Sequence, residues 1–475
     1  MNTEAVLVVL YLLGCLGIGL YFARRGLGSP DEYWVAGRSI GVTANAMAIM
    51  ASLASGGSII GVMGLAYRTG IPFTLSLFAG AILGFPLAAV LVAGPLRRFG
   101  SFTLPDFLSY RYPHPAMRRL VPIFIVVSFT VYIIAQMKAA GITAEVLLGI
   151  SYKTAVTLAA IVFISYVSIG GMLAVTWTDV VQGTLMLCVV LGTCVAVMVQ
   201  EGSPLSILER ATEAAPALGA MRDTPLSSMI GIFVLWAAAI PVIPHIVMRV
   251  FTAKDPQGAR ISLNLAMVVY SVMILAAVLI IVPVGKMQFP ELADADHVFL
   301  NVMQTRFPAV VRGLAVAAVL AAVMSTTDAL LLACSAAITH DLFGARLKKA
   351  TAATRKIVTV AVPWVIGLFA MFCAYSPPKL ITVFYSAAIG LLGASLFVPL
   401  IAGLWWKRAN TAGGVAALVS GAVVYLFVQF GTSAPKFSAV LFALAASASA
   451  MLLGGFLGRP TDQAISGRIE VLHRA

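Results

Sequence analysis

Two polar stretches in apolar surroundings carry most of the chemistry open to this chain. The first is Ala51-Ser52-Leu53-Ala54-Ser55-Gly56-Gly57-Ser58, inside an apolar run from about Gly41 to Tyr67. Serine competes for backbone carbonyls and glycine exposes backbone, so this composition predicts a break in a helix that otherwise spans. A break at hydrocarbon depth leaves peptide groups unpaired, which is tolerated only where the backbone is enclosed by protein or lines a cavity with something to bind. Ala51 and Ala54 would then offer carbonyls to a cation while the amide end of the upper half-helix faces a substrate. The alternative is a small-residue seam for close helix packing. The second stretch, Ala321-Ala322-Val323-Met324-Ser325-Thr326-Thr327-Asp328, brings three consecutive hydroxyls and a carboxylate that need partners in hydrocarbon. Hydroxyl and carbonyl oxygens together suit a small hard cation. Asp328, three residues after Ser325 and nearly on its face, either supports that cation or pairs with a neighbouring helix.

Other groups are more scattered. Tyr132 and Gln136 are four apart and share a helix face. Lys138 is a cation within a span, by default functional, and an anionic substrate is one reason to keep it; it lies about a turn from the outer end and could instead snorkel to the interface. Asp179 follows the tight turn at Gly170-Gly171 and either guides a cation near the cytoplasmic mouth or caps its helix. Trp236 and three alanines precede Ile240-Pro241-Val242-Ile243-Pro244-His245, where two prolines break or kink the helix. His245 reads as a structural hydrogen bonder and His114, between two prolines, as a loop residue. Asp294, Asp296 and His297 lack a metal-ligand pattern, so 285–308 reads as a solvated outer loop or lid.

The elements that must position these groups are membrane helices. Of 475 residues 61% are hydrophobic and 10% charged, with mean hydropathy +1.00, far from a soluble composition. Thirteen runs reach spanning length: 4–23, 42–67, 73–95, 119–142, 153–171, 177–199, 227–248, 262–284, 309–340, 356–376, 380–405, 412–431 and 436–457. The net charge of +13 does not indicate a nucleic-acid partner. With the N-terminus outside, most basic residues fall in inside loops, among them Arg24, Arg25, Arg97, Arg98, Arg111, Arg249, Lys254, Lys407 and Arg408, so the charge reports topology and the C-terminus is cytoplasmic. The opening segment lacks a basic n-region and a cleavage site and reads as a retained first helix. The five cysteines lie in predicted spans without CxxC spacing, implying neither metal site nor disulfide framework. Between spans, Gly28–Arg38 reads as an interfacial aromatic loop, FTLPDFLSYRYPHP as an amphipathic surface segment, 200–226 as a loop with one short outer helix, and Pro377-Pro378 as an outer turn.

The broken second and seventh helices lie five apart and enter from opposite sides, as an inverted repeat of five plus five helices requires, with ligands at the midplane. Helices 2–6 (42–199) form the first repeat and helices 7–11 (227–405) the second. Helix 1 (4–23) and helices 12–13 (412–457) are peripheral, and 458–475 is a cytoplasmic tail. A channel would need a continuous polar pore, and an enzyme a convergent nucleophile, base and orienting group; neither is visible.

Four blocks carry a resemblance: AGRSIG at 36–41, GG…AVTWTDVVQG at 170–183, PHI at 244–246 with Arg249 three residues on, and LAAVMSTTDALLLACSAAITHDLF at 320–343. On these the chain resembles the sodium:solute symporter family over nearly its whole length. The resemblance implies an all-α, leucine-transporter-like fold and sodium-coupled symport without a cofactor. It implies a sodium site from backbone oxygens of Ala51, Ala54 and Ala322 and the hydroxyls of Ser325 and Thr326. It gives Arg38 and Asp179 a part in sodium handling near the cytoplasmic side, and places substrate at Ser55, Gly56, Ser58, Tyr132, Trp236 and Pro244; Gln136 joins them through its shared face with Tyr132. The sodium/proline symporter branch has an aspartate where this chain has Leu53. Ala135-Gln136-Met137, GGMLAVTW at 170–177 and PHIVMRVFTAKDPQGAR at 244–260 resemble the acetate permease branch, which carries an acid near the break where this chain has Ser52. Leu53, Ala237–Ala239, Trp236 and the glycines make a small uncharged pocket, and half-helix N-termini favour an anion. The expected substrate is a monocarboxylate such as acetate, propionate or pyruvate, imported across a bacterial inner membrane by alternating access. Proline, or another amino or organic acid, is the alternative.

Overall fold

The computed structural model describes residues 3–26, 29–220, 224–376 and 380–473. Polar residues at the ends of the apolar runs start the helices: Thr103, Ser151, Ser203, Asp255, Thr351 and Asn410 each accept a hydrogen bond from a first-turn amide, satisfying donors that a helix start leaves free. In chain order the spans are α1 (Thr3–Gly26), the half-helices α2a (Val42–Leu53) and α2b (Gly57–Thr69), α3 (Ile71–Phe99), α4 (Pro115–Leu148), α5 (Tyr152–Ser165), α6 (Gly170–Glu201), α7a (Leu226–Ala239), α7b (Pro244–Thr252), α8 (Pro256–Gln288), α9 (Ala309–Leu342), α10 (Ala352–Ala374), α11 (Ile381–Trp405), α12 (Thr411–Gly431) and α13 (Ala439–Leu457). Among the described residues there is no β-strand beyond one isolated bridge, Ile40 to Ala253.

Among the described residues eleven helices are long and apolar enough to cross a membrane, twelve with α2a and α2b taken as one bent span, against the thirteen that the sequence predicts. The difference lies at α5, a shorter apolar helix. It runs into α6 with no loop, the backbone leaving helical geometry at Gly171 (φ 61°, ψ −169°). A Cβ at Gly171 would stand 2.8 Å from the Tyr33 ring, so the joint needs glycine for space as well as for its positive φ. In α9 and α11, 72% of the most apolar window is buried, against 17% in α1 and 22% in α13, which puts the first and last spans at the rim and α9 and α11 in the core.

Several connecting segments are more deeply held than their polarity suggests. Tyr33 and Trp34, expected at headgroup level, are buried in a short helix, Pro30–Val35. The expected surface segment forms the helix Leu104–Arg111 with a Thr103/Asp106 capping box, and its Arg111 is buried, donating to the carbonyls of Gly403 (2.9 Å) and Ala409 (2.6 Å). The segment after α8, expected to be solvated, buries Asp296, Val298, Phe299, Leu300, Val302 and Met303. A short helix does form at Pro204–Ala214. The tail carries the helix Gln463–Val471, docked where Arg98 donates to the Leu472 carbonyl (2.9 Å). Pro377 and Pro378 lie outside the described residues.

Candidate ion and substrate site

The α2 break can be followed bond by bond. α2a ends at Leu53, and α2b sets off at 57° to it. In a continuous helix the Ser55 and Gly56 amides would bond the carbonyls of Ala51 and Ser52. Instead the Ser55 amide turns to the Leu53 carbonyl (2.8 Å) and the Gly56 amide to Gln136 Oε1 on α4 (2.9 Å). The two freed carbonyls are taken by α9: Ser325 Oγ donates to Ala51 O (2.9 Å) and Thr326 Oγ1 to Ser52 O (3.0 Å). Ser325 Oγ also lies 3.2 Å from the Ala322 carbonyl. Thus Ala51, Ala322 and Ser325 meet at one point of hydroxyl and carbonyl oxygens. Thr326 reaches Ser52, a position the resemblance does not assign to the sodium site. Ala54 sits at the corner, its amide on the Met50 carbonyl (2.8 Å).

Beyond the break, Tyr132 donates to Ser55 Oγ (3.1 Å), and Ser58 Oγ donates to Leu53 O (3.0 Å) while accepting from Tyr270 (3.1 Å). A Cβ on Gly56 would lie 2.6 Å from that of Ala139, and one on Gly57 2.4 Å from the Tyr385 ring; both glycines are required by close approach. Tyr385 stacks on Tyr132 (centroids 4.8 Å) and meets Trp236 edge-on (5.9 Å). These three rings gather the substrate candidates of α2, α4 and α7a around one point, and Tyr385 on α11 is a member that the sequence reading misses. Among the described residues Trp236 Nε1 and Gln136 Nε2 have no hydrogen-bond partner, two buried donors still available to a ligand. Pro244 opens α7b, and the buried His245 ring packs against Phe129 (5.4 Å). Its Nδ1 has no partner among the described residues, so at that atom His245 is not the expected hydrogen bonder.

Two buried ion pairs flank this centre. On one side Arg249 NH2 bonds Asp179 Oδ2, and Arg249 NH1 bonds Thr176 Oγ1 (2.6 Å). Ser52 Oγ lies 3.2 Å from the same Asp179 oxygen. Arg249 was expected as an inside-loop charge; it is instead wholly buried on α7b, because Asp179 compensates it there. Asp179 is therefore not a simple helix cap, and Arg38 is engaged elsewhere, its guanidinium bonding the carbonyls of Gly100 (2.8 Å) and Ser101 (3.3 Å) near Asp31. On the other side Lys138 is buried, with its Nζ 2.8 Å from Asp296 and 3.3 Å from Asp294. It does not snorkel, and its charge is engaged by the segment after α8. Asp296 also accepts from the Ile381 amide at the start of α11 (3.1 Å). Burial pushes the Asp296 carboxyl up to about 6, against the opposing pull of Lys138. Asp328 is fully buried on α9, and neither of its oxygens has a hydrogen-bond partner among the described residues.

A helical core with a broken span whose freed carbonyls meet hydroxyls of a distant helix defines a membrane transporter with a discontinuous-helix site. The model of the sodium:solute symporter family matches residues 33–421, and the chain belongs to that family. It is 31% identical over 443 residues to the sodium/proline symporter of Salmonella typhimurium, covering 89% of this chain and 87% of that one. To the sodium/pantothenate symporter of Escherichia coli it is 28% identical, over 98% and 99% of the two chains. Among solved structures, a substrate-bound, outward-open sodium-coupled sialic acid symporter superposes with a TM-score of 0.83 at 19% identity, over 98% of this chain and 99% of that chain. The fold is of the leucine-transporter type. The chain is a transporter and not an enzyme, and sodium is the coupling ion of its family.

Proposed function

We propose that this protein imports a small monocarboxylate, such as acetate, propionate or pyruvate, with sodium by alternating access. The observation that carries the coupling is the capture of the Ala51 and Ser52 carbonyls by Ser325 and Thr326. Sodium replaces the hydroxyl protons as the bridge: bound between the carbonyls of Ala51, Ala54 and Ala322 and the two hydroxyls, it ties α2 to α9. That fixes the geometry of Gly56 and Ser58, so sodium and substrate each raise the other's affinity, as linkage requires. Asp179, bonded to Ser52 through its hydroxyl, and Arg38 lie on the sodium route in this reading.

The substrate class rests on what surrounds the rings. Tyr132, Trp236, Tyr385, Gly56 and Gly57 form an apolar wall, and the donors at hand are neutral: Trp236 Nε1, Gln136 Nε2 and the hydroxyl of Ser55. The nearby ammonium, Lys138, is held by Asp294 and Asp296, so neutral donors suit one carboxylate better than two. The aromatic faces favour a second reading, proline or another zwitterion, whose ammonium can rest on a ring. Arg97 and Arg98 on α3, Arg111 and Lys254 lie at one face with the docked C-terminal helix, which supports a cytoplasmic C-terminus in a bacterial inner membrane.

Uptake by purified protein in liposomes tests this, with inward sodium, potassium or proton gradients and labelled acetate, pyruvate and proline. Sodium-driven accumulation of a monocarboxylate is expected. Sodium-driven proline uptake keeps the coupling and discards the substrate. Accumulation that follows protons alone overturns the sodium site and directs attention to the unpartnered Asp328.

A further inference from the structure

We propose that His340, Asp341 and Asp106 form a binding site for a first-row transition metal ion, Zn2+ by ligand type, on the face that carries the C-terminal helix. His340 and Asp341 end α9, and Asp106 belongs to the helix Leu104–Arg111. One ligand atom from each lies within 4.8 Å of the others. His340 Nδ1 is 2.9 Å from Asp341 Oδ1 and 3.6 Å from Asp106 Oδ1. In a tetrahedral site with bonds of about 2.0–2.1 Å, ligand atoms stand about 3.3–3.4 Å apart, so the two spacings bracket what Zn2+ needs.

The carboxylates are also held in place. Asp106 Oδ2 is occupied by the amides of Phe102 (3.2 Å) and Thr103 (3.3 Å), which turns Oδ1 to the imidazole. Thr103 Oγ1 donates to Asp341 Oδ1 (2.9 Å), and Phe102 packs edge-on against the His340 ring (5.5 Å). Such outer contacts are how ligands are oriented in metal sites. The second observation is Asp341 itself: its side chain is 4% exposed, and its Oδ2 is buried with no hydrogen-bond partner among the described residues, while the residue lines a cavity of about 510 Å³. A buried carboxylate with one oxygen lacking a donor carries charge that is under-compensated, and a cation on its other oxygen offsets that charge. The metal displaces the proton shared by His340 and Asp341, its two charges are balanced by the two carboxylates, and a water fills the fourth position from the cavity. Arg118 also lines that cavity and disfavours ions held by charge alone, such as Mg2+; the imidazole nitrogen provides the preference for Zn2+, Co2+ or Ni2+.

The test is a Co2+ titration of the purified full-length protein, free of any histidine tag and in metal-free detergent buffer, followed by the visible d–d bands of tetrahedral Co2+. One ion per chain, displaced by Zn2+ and not by Mg2+, is expected. His340→Gln should weaken binding by more than the roughly 10–100-fold that loss of an outer-shell partner costs. Asp106→Asn, which keeps an acceptor for the Phe102 and Thr103 amides, should weaken it as well, and His114→Gln should leave it unchanged. No stoichiometric binding, octahedral bands, or wild-type affinity in both His340→Gln and Asp106→Asn would overturn the site.

Discussion

The two interrupted helices solve the same problem differently. In α7 the amides of the Ile240–Ile243 interruption stay within their own turn: the Val242 and Ile243 amides both reach the Ala239 carbonyl (2.9 Å each), and the prolines have no amide to place. Residues Leu226–Thr252 still cross as one span. In α2 the interruption turns the chain by 57° and leaves two carbonyls that only another helix satisfies. The α7 interruption keeps its amides local, whereas in the proposed sodium site the α9 hydroxyls that close α2 share their carbonyl partners with the ion. The difference follows from residue type, since proline removes a donor and glycine with serine redirects one.

The largest effect that sharpens this contrast is expected at Arg249, whose charge links α7b to α2a through Asp179. Arg249→Gln leaves the Asp179 carboxylate buried and unpaired, a loss of about 3–5 kcal/mol. Little folded protein should be recovered on a sizing column, and Asp179→Asn in the same chain should restore much of it; a monodisperse single variant would mean that the pair carries little of the structure. Next comes Ser325→Ala with Thr326→Ala. Two unsatisfied buried carbonyls cost about 1–3 kcal/mol each, and the sodium concentration for half-maximal uptake should rise at least about tenfold while membrane insertion persists. Unchanged sodium activation would make α2 as self-contained as α7. Gly57→Ala drives a methyl against Tyr385 and should lower uptake strongly, whereas Pro241→Ala in the α7 turn should change transport rates less than about twofold, within the ~0.5 kcal/mol of an ordinary tolerated substitution. Equal losses at both positions would erase the distinction.

The smallest effect concerns Asp296. Its carboxyl is raised in the folded protein to about 6 from 3.8, because burial disfavours its charge. A raised carboxyl binds its proton more tightly when folded, so this group's contribution is greatest below the unfolded value and falls as pH climbs through about 6, with no further change above. Thermal stability in detergent should therefore decline modestly between about pH 4 and 6, and Asp296→Asn should flatten that segment. A decline of the same size in the variant would assign it to other groups.

How far the sequence discloses the site depends on whether its signal is local. The α2 break is legible because Ser55-Gly56-Gly57-Ser58 breaks a helix by its own chemistry. Ser52 was also within reach: counting four residues back from the amides that turn away lands on Ala51 and Ser52. Arg249 is misread as a loop charge because its burial depends on Asp179, seventy residues earlier, and only the need of a buried acid for a partner hints at it. Lys138 and Asp296 fail in the same way. Lys138 reads as a lone cation within a span and Asp296 as a solvated loop acid, and their pairing is a product of the tertiary fold. Tyr385 gives no sign, being one aromatic among many in apolar spans, until Gly57 is seen to press against its ring.

The loopless joint at Gly171 sets the rotational phase of α6. A helix advances about 100° per residue, so a single residue inserted just after Gly171 would swing Thr176, Asp179 and Gln182 to the wrong azimuth together, parting Asp179 from Arg249 and Gln182 from Tyr11. With no slack between α5 and α6 to absorb the change, the length of this joint is as constrained as the identity of the residues it aims.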